Sequence, residues 1–303
     1  MDISIVIVSY NVKEYIISCI ESIYKHSCSK VNFEVIVIDN NSEDGSTTKI
    51  RDLFPQVSLH KNNKNLGFSI AANQAAKFSK GDYILILNPD TLFKDDVLKK
   101  LFDEAKNEAR LGVLGPSLIS ESGTVHRSYW RDPTTLTTLF SIFNLDFLNF
   151  YKNYNNRIFK KKKKVDTLSG GAFFLRKDVF DKLGGFNDRL FWMEDIDFCV
   201  RARQENYSVL YFPEAEVIHF IGKSAEKNIK IAISNQLISK IKFFKIHKDR
   251  FSFLVVLFAV TIISSLKTFV LLFLLPFSQL GRKKFIAYAY TLRKVLFDIK
   301  SYY

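Results

Sequence analysis

Three short apolar runs within the first 90 residues constrain the fold of this chain more than any other feature. They occupy residues 3–10, 33–39 and 83–87, and they are rich in Ile, Val and Leu. A nearly continuous apolar run is typical of a strand that is buried on both faces of a parallel sheet. Apolar residues at helical spacing fill residues 12–26, between the first two runs. The pattern predicts a βαβ unit with a right-handed crossover, and therefore an α/β fold.

Polar residues stand at the end of each predicted strand. Ser9, Tyr10 and Asn11 close the first strand, Asp39 closes the second, and Asp90 follows the third. Ligands of open α/β sheets bind outside the carboxyl ends of the strands. We therefore expect a ligand site along this edge of the sheet.

An acidic stretch at residues 191–197 is the second informative feature, because three carboxylates occupy four positions beside Phe and Trp. A carboxylate next to apolar surface is unfavourable unless it is paired. The following residues predict a helix over 194–206, so Glu194 and Asp195 lie at an N-terminus where the helix dipole favours anions. An acidic cap on a surface helix gives the same pattern without chemistry. In a cleft, such a carboxylate can accept a proton from an attacking hydroxyl.

The net charge of +13 indicates an anionic partner, such as nucleotide phosphates, nucleic acid or an anionic membrane surface. The sequence contains no nucleic-acid-binding motif, and the lysines concentrate towards the C-terminal half, so we predict no nucleic-acid partner. The three cysteines lack metal-ligand spacing and predict reduced thiols. Met1 and Asp2 lead directly into the first predicted strand, without a signal peptide, so we expect the N-terminal part to stay in the cytoplasm.

The C-terminal part has a different composition. A basic helical pattern over 228–248 precedes an apolar stretch, residues 251–277, whose only charge is Lys267. This stretch predicts a transmembrane helix, or two helices lying in the membrane surface and broken near Lys267 and Pro276, or a buried helix of a soluble protein. We favour the second alternative. The flanking Lys and Arg suit a cytoplasmic anionic membrane face. The sequence thus predicts an α/β domain over 1–227 and a membrane-associated helical tail over 228–303.

Six motifs together resemble those of the family 2 glycosyltransferases, and they occur in that family's order. They are residues 4–11, 37–42, 65–68, 87–90, 170–173 and 192–197. The resemblance covers about residues 1–225 and is nearest to a rhamnosyltransferase-like branch, related to galactofuranosyltransferases, that builds bacterial cell-surface polysaccharides. It implies a GT-A fold, in which a Rossmann-like nucleotide-binding half is fused to an acceptor-binding half. It also implies an inverting transfer of a sugar from a nucleotide diphosphate donor, with Mg²⁺ or Mn²⁺ as the cofactor.

The resemblance implies roles for individual residues around the reacting atoms. Asp195 matches the general base, with Glu194 in support. Trp192 and Asp197 are implied acceptor contacts, with the indole of Trp192 against a sugar face.

The metal site implied by the resemblance departs from the family pattern. Asp90 matches the last aspartate of the family's D-x-D-type motif, and His219 matches a histidine that completes the metal coordination. Asn88 occupies the first position of the motif, so one carboxylate is missing. A histidine among apolar neighbours is also typical of a satisfied core residue, which is the alternative for His219.

Donor recognition is the third implied function. Asp39 matches the aspartate that reads the base or the ribose. The further implied donor contacts are Ser9, Tyr10, Asn11, Asn41, Asn65, Gly67, Asn73, Asn88, Asp90, Gly170 and Gly171. We expect dTDP-rhamnose as the donor first and UDP-activated hexoses next. The basic, membrane-seeking tail predicts a polyprenyl-linked or other saccharide acceptor.

Two other functions compete with this one. A non-catalytic nucleotide-sugar-binding subunit recruited to the membrane predicts eroded carboxylates, whereas Asp39, Asp90, Glu194 and Asp195 are all present. A nucleotidyltransferase requires a Gly-rich N-terminal loop for a triphosphate, which residues 7–11 lack. The sequence leaves the sugar, the acceptor hydroxyl and the oligomeric state, including a homo-oligomer, open.

Overall fold

The computed structural model describes residues 1–27, 31–145, 160–220, 229–275 and 278–297. The chain forms two compact units. The first unit contains Met1–Asp132, Asn155–Asp188 and Glu194–Ser224. The second unit contains Pro133–Tyr154, Arg189–Met193 and Ala225–Tyr303. The predicted boundary at 227 lies two residues past Ala225, but the second unit also takes two segments that the sequence had placed in the α/β domain.

The secondary structure alternates strands and helices through the first unit, as the sequence predicts for an α/β fold. The strands are β1 Ile3–Ser9, β2 Phe33–Asp39, β3 Ser58–Lys61, β4 Tyr83–Leu87, β5 Thr91–Phe93, β6 Leu111–Ile119, β7 Tyr129–Trp130, β8 Lys163–Lys164, β9 Thr167–Leu168, β10 Ala172–Arg176 and β11 Ser208–His219. The helices of this unit are α1 Lys13–His26, α2 Ser46–Leu53, α3 Phe68–Phe78, α4 Val97–Lys106, α6 Lys177–Lys182 and α7 Glu194–Gln204. The helices of the second unit are α5 Thr135–Ile142, α8 Ile229–His247, α9 Arg250–Leu272 and α10 Gln279–Phe297.

One mixed sheet organises the first unit, with the described strands in the order β3-β2-β1-β4-β10-β6-β11-β5 and β8 paired to β11. Strands β3, β2, β1 and β4 are parallel, whereas β10 runs antiparallel to both β4 and β6. Strand β11 is parallel to β6 and antiparallel to β5. All seven residues of β1 are buried, which explains its continuous apolar run.

The core lies between the sheet and the helices on its faces. Helix α1 buries Ile16, Ile20 and Ile23 at a spacing of three and four residues, as an amphipathic helix does. Helix α4 begins with a side-chain cap, because Asp96 accepts a hydrogen bond from the backbone N–H of Lys99 at 3.1 Å. These helices pack against the sheet and stabilise it. The sheet determines the positions of the strand ends that carry the polar residues.

Helix α7 is anchored by an aromatic cluster and an ion pair. The ring of Phe198 is fully buried, and its centroid lies 5.5 Å from that of Phe180 and 5.7 Å from that of Phe186. Asp197 is fully buried, and its Oδ2 accepts a hydrogen bond from Nε of Arg201 at 2.8 Å. The same guanidinium donates to the carbonyl oxygens of Leu183 and Gly185, at 2.7 and 2.8 Å respectively. The acidic helix start is therefore held in place by its own next turn.

The second unit is helical in its described part. Helix α9 packs against α5, α8 and α10. It runs without interruption through Lys267, so the predicted break near that residue is wrong. A regular apolar pattern continues on both sides of Lys267 and outweighs the single charge. The predicted break near Pro276 lies outside the described residues. Helix α9 is the only described helix that is long and apolar enough to cross a membrane.

The buried ion pair gives a stability prediction. Replacing Arg201 by Met leaves the carboxylate of Asp197 buried and without its cation, so we expect a loss of about 3 kcal/mol in the free energy of unfolding, measured in urea. Lys182→Met removes an exposed ion pair with Glu205 and should leave the free energy of unfolding nearly unchanged. Equal stability of the two variants would show that the Arg201 pair is not the anchor of α7.

Candidate functional site

The edge formed by the carboxyl ends of β2, β1 and β4 carries the first group of predicted site residues. Ser9 is level with Asp39 in the register of β1 and β2, and Ile7 is level with Leu87 in the register of β1 and β4. Asn88 therefore follows β4 on the same side of the sheet. The parallel pairing brings together residues that are up to 80 positions apart, as the sequence predicts.

Asp39 has an unusual environment. The residue is fully buried, and its Oδ2 accepts a hydrogen bond from the backbone N–H of Ser42 at 2.8 Å. Its Oδ1 is buried and has no hydrogen-bond partner among the described residues. The hydroxyl of the neighbouring Ser9 is buried in the same condition. Because an unsatisfied buried polar atom is destabilising, these atoms indicate the place of a ligand donor.

Two asparagines shape the loops at this edge. Asn11 has φ +54° and Asn41 has φ +67°, both in the left-handed region where Asn is favoured among non-glycine residues. The backbone N–H of Asn11 donates to Oγ of Ser42 at 2.9 Å, and its Oδ1 accepts from the N–H of Glu43 at 2.9 Å. The two loops are thus bonded to each other. The exposed ring of Tyr10 lies next to this joint.

A chain of amides joins the β2 loop to the start of α3. Nδ2 of Asn40 donates to the carbonyl oxygen of Gly67 at 3.1 Å, and Oδ1 of Asn40 accepts from Asn62 at 2.9 Å. Asn65 accepts from the backbone N–H of Gly67 at 2.9 Å. Gly67 has φ +85°, which a residue with a side chain rarely adopts. Asn40 and Asn62 were not predicted as site residues, because their role depends on partners distant in sequence.

Asn73 does not lie free at the donor edge. Its Nδ2 donates to the carbonyl oxygen of Phe186 at 2.8 Å, and its Oδ1 accepts from the N–H of the same residue at 2.9 Å. Both ends of the amide are therefore used to hold the backbone of another loop. This arrangement gives Asn73 a structural role and does not fit the predicted donor contact.

Asp90, which follows β4, and His219, which ends β11, lie next to each other at the same edge of the sheet. The antiparallel pairing of β11 with β5 places His219 level with Thr91. Nε2 of His219 lies 3.3 Å from Oδ1 of Asp90 and 3.5 Å from Nδ2 of Asn88. Both Asp90 and His219 have side chains that are at most one tenth exposed. The structure therefore brings together the residues that the resemblance assigned to a metal ion.

The chemistry of this cluster fits a divalent cation. A carboxylate oxygen and an imidazole nitrogen are ligands that suit Mn²⁺, and their separation allows both to face one ion. The described residues contain no cluster of three or more His, Cys, Asp or Glu side chains. At this place the described part of the chain offers two strong ligands, with the side chain of Asn88 beside them. Nδ1 of His219 has no hydrogen-bond partner among the described residues.

Gly170 and Gly171 lie between the Asp90–His219 pair and Asp195. The carbonyl oxygen of Gly171 accepts from the N–H of Asn88 at 3.0 Å. A Cβ atom on Gly171 would lie 3.0 Å from both Cε1 of His219 and Cδ1 of Leu118, a tight contact that a glycine avoids. The N–H of Gly170 donates to Oδ2 of Asp195 at 2.8 Å. The backbone of these two glycines therefore connects Asp195 with the Asp90–His219 pair.

Asp195 stands at the start of α7 with both oxygens engaged by backbone groups. Besides the bond from Gly170, its Oδ1 accepts from its neighbour, the N–H of Ile196, at 2.8 Å. Burial raises the pKa of the Asp195 carboxyl, and the two backbone hydrogen bonds partly oppose that rise. A carboxylate with a raised pKa next to a glycine pair is suited to accept a proton.

The other residues of the acidic stretch differ from one another. Glu194 is half-buried at the first position of α7. Asp197 is fully buried and bonded to Arg201, an arrangement that does not fit the predicted acceptor contact. Trp192 belongs to the second unit, is 41% exposed and has φ +117°. Such a backbone conformation is strained for a bulky residue and is most often kept at functional positions.

His126 is a further residue near the Asp90–His219 pair, and no sequence pattern indicated it. Its N–H donates to the carbonyl oxygen of Leu118 at 2.8 Å, in the segment that follows β6. Burial lowers the pKa of His126, and the nearby charge of His219 lowers it further. The two histidines are therefore close enough to interact electrostatically.

Comparison with known proteins places this geometry in context. A family model described as Glycosyl transferase family 2 matches residues 4–184. An N-acetylglucosaminyl-diphospho-decaprenol L-rhamnosyltransferase of Mycobacterium tuberculosis is 26% identical over 210 residues, which cover 64% of this chain and 68% of that protein. The low-salt glycan biosynthesis hexosyltransferase Agl10 of Haloferax volcanii is 26% identical over 226 residues, which cover 72% of this chain and 67% of that protein.

A solved structure shows the same fold. The mannosyltransferase PcManGT from Pyrobaculum calidifontis, in complex with GDP-Man and Mn²⁺, matches with a TM-score of 0.58 at 15% sequence identity. The match covers 98% of this chain and 87% of that chain.

The close approach at Gly171 gives a prediction about metal binding. Gly171→Ala places the new Cβ atom in tight contact with the ring of His219 and with Leu118. Because a small displacement of that ring disturbs the proposed ligand, we expect Mn²⁺ affinity, measured by calorimetry with a nucleoside diphosphate present, to fall by about tenfold. Gly170→Ala is the matched control, because its added Cβ meets only ordinary contacts, the nearest at 3.4 Å from Asp195. Equal Mn²⁺ affinity in both variants would remove His219 from the metal site.

Proposed function

Because the chain belongs to glycosyl transferase family 2 and adopts the GT-A fold, we propose that it transfers a sugar from a nucleotide diphosphate donor to a lipid-linked saccharide acceptor. The observation that carries this proposal is the single sheet edge that holds Asp39, Asp90 and His219. One end of the edge offers an unsatisfied acceptor atom, and the other offers oxygen and nitrogen ligands for a cation.

Donor binding is divided between these two ends. The free Oδ1 of Asp39 is suited to accept a hydrogen bond from an N–H of the base or a hydroxyl of the ribose. Asp90 and His219, with Asn88 beside them, would hold Mg²⁺ or Mn²⁺, and the bound cation would neutralise charge on the leaving diphosphate. The further proposed donor contacts are Ser9, Asn41 and Gly67, which precedes α3.

Asp195 is the proposed general base. It takes the proton of the acceptor hydroxyl while that oxygen bonds to the anomeric carbon and the carbon–oxygen bond to the diphosphate breaks. A single in-line displacement of this kind inverts the anomeric configuration and requires no covalent nucleophile. Glu194 is the proposed support of the base, and Trp192 stays a prediction as an acceptor contact.

The names of the relatives guide the choice of substrates. One relative is a rhamnosyltransferase that acts on a decaprenol-linked diphosphate sugar, and another is a hexosyltransferase. The structural neighbour holds GDP-Man and Mn²⁺. We propose a polyprenyl-linked acceptor at the cytoplasmic face of the membrane, with dTDP-rhamnose first, then UDP- and GDP-linked hexoses, as the donors to test.

Substitution of Asp195 tests the proposed reaction. We expect Asp195→Asn to lower kcat by at least about a hundredfold, because the variant cannot accept the proton, while nucleotide affinity stays within about twofold. Asp103→Asn, at an exposed position on α4, is the matched control. In the wild-type protein kcat/KM should fall on acidification through the raised pKa of Asp195, above the ordinary value of 3.8. Full activity of Asp195→Asn would reject Asp195 as the base.

A further inference from the structure

Helix α9 carries an exposed apolar surface along its whole length. We call this surface the α9 stripe, and it consists of Phe251, Leu254, Phe258, Ile262, Leu266, Phe269 and Phe273. Each of these residues is between 40% and 75% exposed, and successive members are three or four positions apart. That spacing places them on one side of the helix. An exposed apolar surface of this extent marks an interaction site.

The opposite side of α9 is packed against protein. Phe253, Val256, Val260, Ile263 and Leu271 are buried on that side. Lys267, the only charged residue between the helix start and its end, is four positions from both Ile263 and Leu271. It therefore lies on the packed side, and the α9 stripe carries no charge.

The surrounding charges identify the partner of the stripe. Residues 229–297 contain one acid, Asp249, and many bases. The bases are Lys230, Lys240, Lys242, Lys245, Lys248, Arg250, Lys267, Arg282, Lys283, Lys284, Arg293 and Lys294. Pairing this segment with a second copy would bring like charges together, whereas anionic lipid headgroups complement them. An apolar stripe within a segment rich in cationic residues is the pattern of a helix at a membrane interface.

We propose that α9 lies in the plane of the membrane, with its stripe in one leaflet of an anionic bilayer, and does not span the bilayer. A helix of 23 residues is about 35 Å long, which is enough to span. However, α9 packs against α8 and α10, which carry most of these bases. Spanning would draw them towards the hydrocarbon core, where charged side chains are strongly disfavoured.

The inference deepens the proposed function and rests on it for the lipid-linked acceptor. A polyprenyl-linked sugar presents its saccharide at the membrane surface, which an in-plane helix also occupies. The inference itself concerns membrane geometry, so its tests measure binding and topology and not sugar transfer. Vesicle binding without transfer would contradict the proposed function alone.

Thiol accessibility distinguishes the in-plane helix from a span. In the full chain carrying Cys28→Ser, the remaining Cys19 and Cys199 are buried, and burial raises the pKa of the Cys19 thiol to about 12, so both stay unreactive. Arg250→Cys and Gln279→Cys then report the two ends of α9. With an impermeant maleimide, we expect both thiols to react in inverted membrane vesicles and neither in intact spheroplasts. Reaction of just one of them in spheroplasts would establish a span and overturn the proposal.

Vesicle binding tests the stripe and its charges separately. The double variant Phe258→Glu/Leu266→Glu should bind phosphatidylcholine–phosphatidylglycerol vesicles at least tenfold more weakly than the wild-type protein. Leu53→Glu is the matched control, because Leu53 is a similarly exposed leucine on α2. Lys283→Ala/Lys284→Ala should weaken binding to these vesicles and not to phosphatidylcholine alone.

Two results would overturn the assignment of the partner. One is unchanged vesicle binding by the stripe variant. The other is a wild-type protein that ignores vesicles but dissociates from dimer to monomer on introduction of the stripe variant, as measured by sedimentation, which would assign the stripe to a second copy.

Discussion

The parallel pairing of β1 with both β2 and β4 is the constraint on which the rest of the first unit depends. It places the ends of three strands at one edge, so that Ser9, Asp39 and Asn88 follow adjacent strands. The pairing is stabilised by burial, since every residue of β1 is buried and a fully buried Val or Ile contributes about 1.5–3 kcal/mol. This stabilisation offsets the free-energy cost of the buried polar atoms that have no hydrogen-bond partner at the edge.

Three buried side-chain atoms at the proposed site have no hydrogen-bond partner among the described residues, and other buried atoms, such as Oγ of Ser264, share this property elsewhere. Oδ1 of Asp39, the hydroxyl of Ser9 and Nδ1 of His219 are buried without a partner among the described residues. A stable fold keeps such atoms when a ligand satisfies them or when they are needed for chemistry. The antiparallel strands β10 and β11 complete the arrangement, because they bring Gly171 and His219 next to the end of β4.

Much of this arrangement could be predicted from local sequence patterns. Continuous apolar runs predicted β1, β2 and β4, and the polar residues after them predicted the ligand edge. The resemblance to the family 2 glycosyltransferases added the pairing of Asp90 with His219, although 129 positions separate them. The roles of Asn73, Asp197 and His126 could not be predicted, because each is decided by a partner that only folding brings near. The continuity of α9 through Lys267 could not be predicted either, because it depends on how the helix packs against its neighbours.

The central claim is that Asp39 and the Asp90–His219 pair form one donor site, and nucleotide binding tests it most directly. Calorimetric titration of UDP, dTDP and GDP into the full chain should reveal one that binds, more tightly with Mn²⁺ than without it. Asp39→Asn can keep the bond from Ser42 and replaces the free oxygen by an NH₂ group, so affinity should fall by about tenfold or more with and without Mn²⁺. Failure of all three nucleotides to bind, binding that ignores Mn²⁺, or unchanged affinity in Asp39→Asn would contradict the account.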